Sequence, residues 1–264
     1  MIRIAIPVNQ PSVVKHLEYA GYDVLRSRGL TRRPDNPEGS ELNEGIIGPG
    51  NHYAGYLRSM DLLFNVSSGN FDFGFVGSDI VEEKPYWPVE TLDQYPYGRE
   101  LGERQPRLEI VAHRESPARS VRDFKPGDIF YTERMEITID YLQRLGLKVL
   151  VEGKESPQDF KRRVLEGDAV GVHEILGTSP IQIAPEDEFG VMVNESGDTG
   201  YDYELIIIAK IMDIKTLLIA NLDSLRDETI REVMFQFQGN LREAFLTRKE
   251  FEMPPTPAHL EREL

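Results

Sequence analysis

Short apolar runs alternate with amphipathic helical stretches along most of this chain, and that alternation constrains its fold more than any other feature. Residues 2–6 (IRIAI) read as a buried opening strand. Residues 13–22 then place Val13, Val14, Leu17 and Ala20 at helical spacing before Gly21. A helical pattern over 56–69 leads into FDFGFVG at 71–77, a strand entering a Gly-Ser-Asp turn, and 79–83 reads as a brief helix stopped before Pro85. Further on, 107–113 (RLEIVAH), 128–131, 148–151 and 169–173 read as strands, with helices over 135–145 and 158–165. Strands alternating with helices predict a mostly parallel sheet covered by helices. Two such sets, separated by a segment holding Pro85, Pro88 and Pro96, predict two α/β lobes. Lobe I is expected over 1–104 plus about 201–225 and lobe II over 105–200, with a C-terminal helix and tail over 226–264.

Other stretches fit the scheme with less definition. Residues 26–50, rich in Gly, Pro, Asn and Arg, predict a long loop holding a hairpin, and 85–105 predicts a crossover between lobes. The polar, acidic segment 186–200 reads as a loop or hairpin, and 203–211 (YELIIIAKI) as the most strand-like run of the chain. Residues 216–221 and 228–245 read as helices. In two-lobed α/β folds ligands lie beyond the carboxyl ends of the strands, so the turns after 2–6, 71–77, 107–113, 128–131 and 169–173 are where binding residues are expected.

Composition narrows what could bind there. With 45 acidic and 30 basic residues the formal net charge is −15, which argues against a nucleic-acid or anionic-membrane partner, since either needs a basic surface. A small phosphorylated ligand needs only a local pocket of amides, hydroxyls and one or two arginines. The chain has no cysteine, so thiolate catalysis and cysteine metal sites are excluded. No window reaches the roughly 18 consecutive apolar residues of a membrane span, and MIRIAIPVNQ lacks a signal-peptide apolar region, which predicts a cytoplasmic, soluble chain.

Four segments, in order, resemble the catalytic part of ATP phosphoribosyltransferase, the first enzyme of histidine biosynthesis. Arg58-Ser-Met-Asp61 followed by FDFG and VGSD ending at Asp79 is similar to the family's Arg-Pro-x-Asp, helix, strand and Gly-x-Asp pattern. Arg107-Leu108 opens LEIVAH as the family's Arg-Leu-Val-Val-Ala-Val does. Thr132-Glu133, Thr138 and Tyr141 resemble its Ala-Thr-Glu-Tyr-Pro-Asn-Leu-Thr segment. Asp168-Ala169, then Gly177-Thr178-Ser179, resemble Asp-Ala-Ile-Val-Asp followed by Thr-Gly-Thr-Thr, and LIAN at 218–221 is a fifth short match. The family's fold resembles the type II periplasmic binding proteins, in agreement with the two-lobed α/β reading.

What the resemblance implies is a glycosyltransferase that moves 5-phosphoribosyl from phosphoribosyl pyrophosphate to N1 of ATP, with Mg²⁺ carried by the pyrophosphate group. It also implies an oligomer of identical chains, with a separate regulatory partner for the short kind of enzyme. By the same resemblance Gly177, Thr178 and Ser179 hold the donor's phosphate. Glu174 takes the place of the family's ribose-binding aspartate, where this chain has Val172. Arg58, Gly77, Ser78, Asp79, Arg107, Thr132 and Glu133 fall to the nucleotide or acceptor. Alternatives stand beside each assignment: Ser179 before Pro180 as an N-cap, Asp79 as an N-cap with Glu82 completing a capping box, and Arg58 as an exposed helix residue.

The turn after the first strand departs from the family. Val8-Asn9-Gln10 stands where the family has Lys-Gly-Arg. Two charge-assisted hydrogen bonds lost, each worth about 1.5–3 kcal/mol, weaken anion binding roughly 10²–10⁴-fold unless Arg32, Arg33 or Lys15 compensates. Asn9 and Gln10 suit a neutral polar ligand or a base edge, or are plain turn residues. A chain with this turn could also be a protein of the same fold that has lost the transfer and binds or acts on another small ligand.

Overall fold

A computed structural model describes residues 1–22, 24–26, 43–47, 52–101, 105–175, 183–195 and 204–251. The chain divides into two units, 1–105 with 215–264, and 106–214.

In the first unit the strands are β1 (Arg3–Pro7), β2 (Val24–Arg26), β3 (Asn43–Ile47), β4 (His52–Leu57), β5 (Phe73–Gly77) and β6 (Val89–Tyr95). After the second unit the chain returns as β13 (Thr216–Asn221). The described strands form one mixed sheet in the order β2-β3-β4-β1-β5-β13-β6. At its centre β4, β1 and β5 run parallel, and β13 lies antiparallel to β5. Its helices are α1 (Pro11–Tyr19), α2 (Ser59–Ser67), α3 (Ser78–Glu83), α6 (Leu222–Arg226) and α7 (Glu228–Thr247).

The central strands are apolar at consecutive positions because both faces are covered. Ile4 and Ile6 of β1, Phe73 and Phe75 of β5, and Leu218 and Ala220 of β13 point into one core with Val13 and Leu17 of α1 and Met234, Phe237 and Leu241 of α7. The intervening Ala5, Val76, Leu217 and Ile219 point the other way, onto Leu62, Leu63 and Val66 of α2. Each fully buried side chain of this kind contributes about 1.5–3 kcal/mol. Gly74 is required at the centre, since a Cβ there would lie 2.8 Å from both the Cβ and the carbonyl oxygen of Ala5.

The second unit holds β7 (Arg107–His113), β8 (Ile129–Thr132), α4 (Met135–Arg144), β9 (Val149–Val151), α5 (Pro157–Glu166), β10 (Val170–Glu174), β11 (Glu188–Asn194) and β12 (Leu205–Asp213). Its sheet runs β12-β7-β11-β8-β10-β9, parallel from β11 to β9, with β7 antiparallel to both neighbours. One face packs Leu108, Ile110, Phe130, Val172 and Phe189 against Ile137 and Leu142 of α4. The other seats Phe160 and Val164 of α5 on Ile129. The fold class is therefore α/β with two mixed sheets covered by helices.

Several expectations need correction. Residues 216–221 form a strand, not a helix: all six are buried between β5 and β6, and an apolar run covered on both faces carries no period of 2. Residues 188–194 are an interior strand between β7 and β8, not the loop or hairpin expected over 186–200, because the acidic residues sit at its start while Phe189, Val191 and Val193 face the core. The stretch 85–105 is not wholly crossover: β6 lies within it as a sheet edge, bounded by Pro88 and Pro96. The expected assignment of about 201–225 to the first lobe fails at β12, which pairs with β7 in the second unit, so the return falls at 214–215. The helix after 226 is no separate extension; α7 closes the first unit's core. Within 26–50, β3 pairs antiparallel with β2 and β4.

Candidate functional site

In the first unit the residues expected to bind follow three adjacent parallel strands. Val8 to Gln10 follows β1, Arg58 follows β4, and Gly77-Ser78-Asp79 spans the end of β5 and the start of α3. Pro7 is in register with Leu57, and the Val8 N–H donates to the Leu57 carbonyl at 3.0 Å, so the first two turns lie side by side. Asn9 and Arg58 are exposed; Ser78 and Asp79 are buried. Gly77, not Asp79, occupies the N-cap position of α3, and Asp79 lies inside the helix's first turn, so the capping-box alternative for Asp79 and Glu82 falls away.

Gln10 is not a free ligand-facing amide. Its Nε2 donates to the carbonyl of Gly98 (3.0 Å) and to Thr216 Oγ1 (2.5 Å). The first N–H groups of α1 are also engaged: Pro11 has none, and the Ser12 N–H donates to the Arg99 carbonyl at 3.0 Å. Lys15, the described candidate to replace the missing cations, has its ammonium 3.6 Å from Glu100; Arg32 and Arg33 lie outside the described residues. Asn9 is left as the polar side chain this turn presents to solvent.

In the second unit Thr132 ends β8, Glu174 ends β10, Asn194 ends β11, and Arg107 begins the antiparallel β7, so all lie at one edge of the sheet. Thr132 is fully buried, and its hydroxyl accepts from the Arg134 N–H (2.8 Å) and the Thr138 hydroxyl (3.0 Å). Its side chain fastens the start of α4 and is not presented to solvent, whereas Glu133 next to it is exposed. β10 pairs with β8 without a register shift, so exposed Glu174 stands on the same face as Val172, just beyond the core. Gly177, Thr178 and Ser179 lie outside the described residues.

Sequence reasoning missed the neighbours of Arg107. Its Nε lies 3.4 Å from Asp213 Oδ1, and Asp213 also accepts from Lys210 Nζ at 3.0 Å. Two residues along β7, buried Glu109 accepts from Asn194 Nδ2 at 2.8 Å. Burial raises the Glu109 carboxyl above the usual range, against the pull of Asn194, Arg107 and Lys210. The signal for this cluster was present in RLEIVAH, whose charged first and third residues share a face of an otherwise apolar strand. On the same face of the sheet, His173 of β10 contacts Glu152 and packs edge-on against Tyr131 of β8, with burial lowering its basicity. Among the described residues, no group of three or more His, Asp or Glu is placed to hold a metal ion.

Two α/β units, each a mixed sheet covered by helices with polar and charged residues where its strands end, define a protein of the two-unit α/β class. The chain belongs to the ATP phosphoribosyltransferase (HisG) family, whose model matches residues 58–239. It is 30% identical over 176 residues to an ATP phosphoribosyltransferase of Chlorobaculum parvum, covering 67% of this chain and 52% of that protein. It is 27% identical over 187 residues to one of Chlorobium phaeovibrioides, covering 69% and 55%. The chain thus spans about half the length of the curated relatives it matches. A solved chain of the ATP phosphoribosyl transferase HisG:HisZ complex from Thermotoga maritima shares the fold. Its TM-score is 0.62 at 18% identity, over 94% of this chain and 100% of that one.

Proposed function

We propose that this chain transfers the 5-phosphoribosyl group of phosphoribosyl pyrophosphate to N1 of ATP, the opening step of histidine biosynthesis. The observation that carries the reading is the family match over 58–239, which takes in Arg58, Gly77-Ser78-Asp79, Arg107, Thr132-Glu133 and the 174–179 segment. As the ribosyl C1–O bond breaks, its electron pair leaves with pyrophosphate while the lone pair of adenine N1 forms the new bond. N1 carries no proton, so neither nucleophile nor general base is required of the protein. Its work is alignment and neutralisation of the leaving group. Arg107 and Arg58 supply positive charge at the two sheet edges, and Mg²⁺ enters as part of the donor. Glu174 and the 177–179 loop take the donor's ribose and phosphate, and Asn9 with Asp79 the acceptor. A cytoplasmic enzyme of identical chains follows from the same reading. A partner chain does too, since the T. maritima relative comes from a HisG:HisZ complex.

A second reading draws on the engagement of Gln10 and Lys15, which leaves the turn after β1 without a free cation among the described residues. In that reading the chain binds a small ligand without transferring phosphoribosyl. Incubating purified protein with phosphoribosyl pyrophosphate, ATP and Mg²⁺ separates the two. Formation of phosphoribosyl-ATP supports transfer. Calorimetric binding of either substrate without product supports the second reading, and no binding of either at millimolar concentration sinks the first.

A further inference from the structure

The two covalent connections between the units are rooted beside the binding turns of the first unit. The return connection is only Ile214–Lys215, between the end of β12 and the start of β13. Ser78 grips it through both main-chain groups of Lys215: the Ser78 N–H donates to the Lys215 carbonyl at 2.8 Å, and the Lys215 N–H donates to Ser78 Oγ at 3.1 Å. One residue further on, the Thr216 hydroxyl donates to the Tyr97 carbonyl at 2.8 Å, tying the return to the outgoing connection. Gln10 then bridges the pair, donating from one nitrogen to Thr216 Oγ1 and to the Gly98 carbonyl. Ser12 adds its hydroxyl to Gly98 (2.5 Å) and its N–H to Arg99 (3.0 Å).

These bonds are not casual surface contacts. Ser12, Ser78 and Thr216 are all at most 8% exposed, so removing one partner strands a polar group away from water. Inter-unit hinges are a few residues at element ends that absorb changes in φ and ψ. A two-residue return held at both its N–H and its carbonyl has little freedom left to do so. Ser78 sits between Gly77 and Asp79, and Gln10 next to exposed Asn9, so whatever engages those turns touches the neighbours of the clamp.

We propose that Ser78 and Gln10 are positioning residues that clamp both inter-unit connections at the ligand-binding edge of the first unit. The inference rests on these contacts, not on the transfer reaction, and can be tested without substrate. The chain has no cysteine, so Glu18→Cys and Glu166→Cys, both exposed, allow a spin label in each unit. Ser78→Ala and Gln10→Ala are then compared with the parent by inter-label distance distribution and by hydrogen exchange. The clamp predicts a broader distribution and about 10-fold faster exchange in peptides covering 95–101 and 212–218, with β1 and β5 still protected. Ser78→Thr, which keeps the hydroxyl, restores both. Unchanged distributions and exchange in both alanine variants overturn the proposal, as does faster exchange spread evenly over the first unit. Should Ser78→Ala fail to fold, the half-buried Gln10→Ala decides by the same two readouts.

Discussion

Asn221, last residue of the LIAN match, is expected to matter for stability and not for ligand binding. Because β13 runs antiparallel to β5, its final residue lies at the opposite sheet edge from Ser78 and Asp79. Its Oδ1 caps α6, accepting from the Asp223 and Ser224 N–H groups at 3.0 and 2.9 Å. Its Nδ2 donates to the Val66 and Ser67 carbonyls at the end of α2, at 2.9 and 3.2 Å. Asn221→Ala removes a cap worth about 1 kcal/mol and strands at least one buried carbonyl, at about 1–3 kcal/mol. A loss of about 2–4 kcal/mol lowers the melting temperature of a chain this size by about 5–12 °C. Calorimetry on the wild type, Asn221→Ala and Asn221→Ser reads it directly. Serine keeps a capping oxygen but cannot reach α2, so it should recover roughly half. A melting point within about 1 °C of wild type for the alanine variant would refute this account. So would weaker ATP or phosphoribosyl pyrophosphate binding by folded Asn221→Ala.

Two further outcomes follow from buried polar groups. His16 is fully buried, with Nε2–H donating to the Leu241 carbonyl (2.8 Å) and Nδ1 accepting from the Tyr97 hydroxyl (2.6 Å). Burial lowers its pKa from 6.5 to about 4, with the Leu241 carbonyl and Asp93 opposing. The unfolded chain therefore takes up this proton first on acidification. The contribution of about 3 kcal/mol is complete above pH 6.5 and lost as pH falls toward 4. Urea unfolding across that range should show the wild type losing more stability than His16→Gln, and parallel curves would contradict it. Thr132→Val should cost about 1–3 kcal/mol by stranding the Arg134 N–H, with Thr132→Ser recovering it. Calorimetry should find ATP affinity unaltered in folded Thr132→Val, and a selective loss of binding would return Thr132 to the site.

What the sequence determined by itself is local or repetitive. The helices over α1, α4, α5 and α7 follow from their own spacing, and β1, β5, β7 and β10 from short apolar runs between turns. The edge position of Gly77 to Asp79, Arg107 and Glu174 follows from their falling where strands end or begin. Tertiary structure alone decided three things. Residues 216–221 became a strand because β5, β6 and two helical layers bury every side chain, and such a run has no period to read. The strand over 188–194 was hidden behind acidic residues at its entry, which only pairing with β7 and β8 resolves. Most consequential is Gln10: a glutamine in a turn looks like a ligand contact until Thr216, 206 residues away in sequence, and Gly98 are brought to its amide. Hydrogen-bond partners so remote are fixed by chain topology, and no local pattern records them.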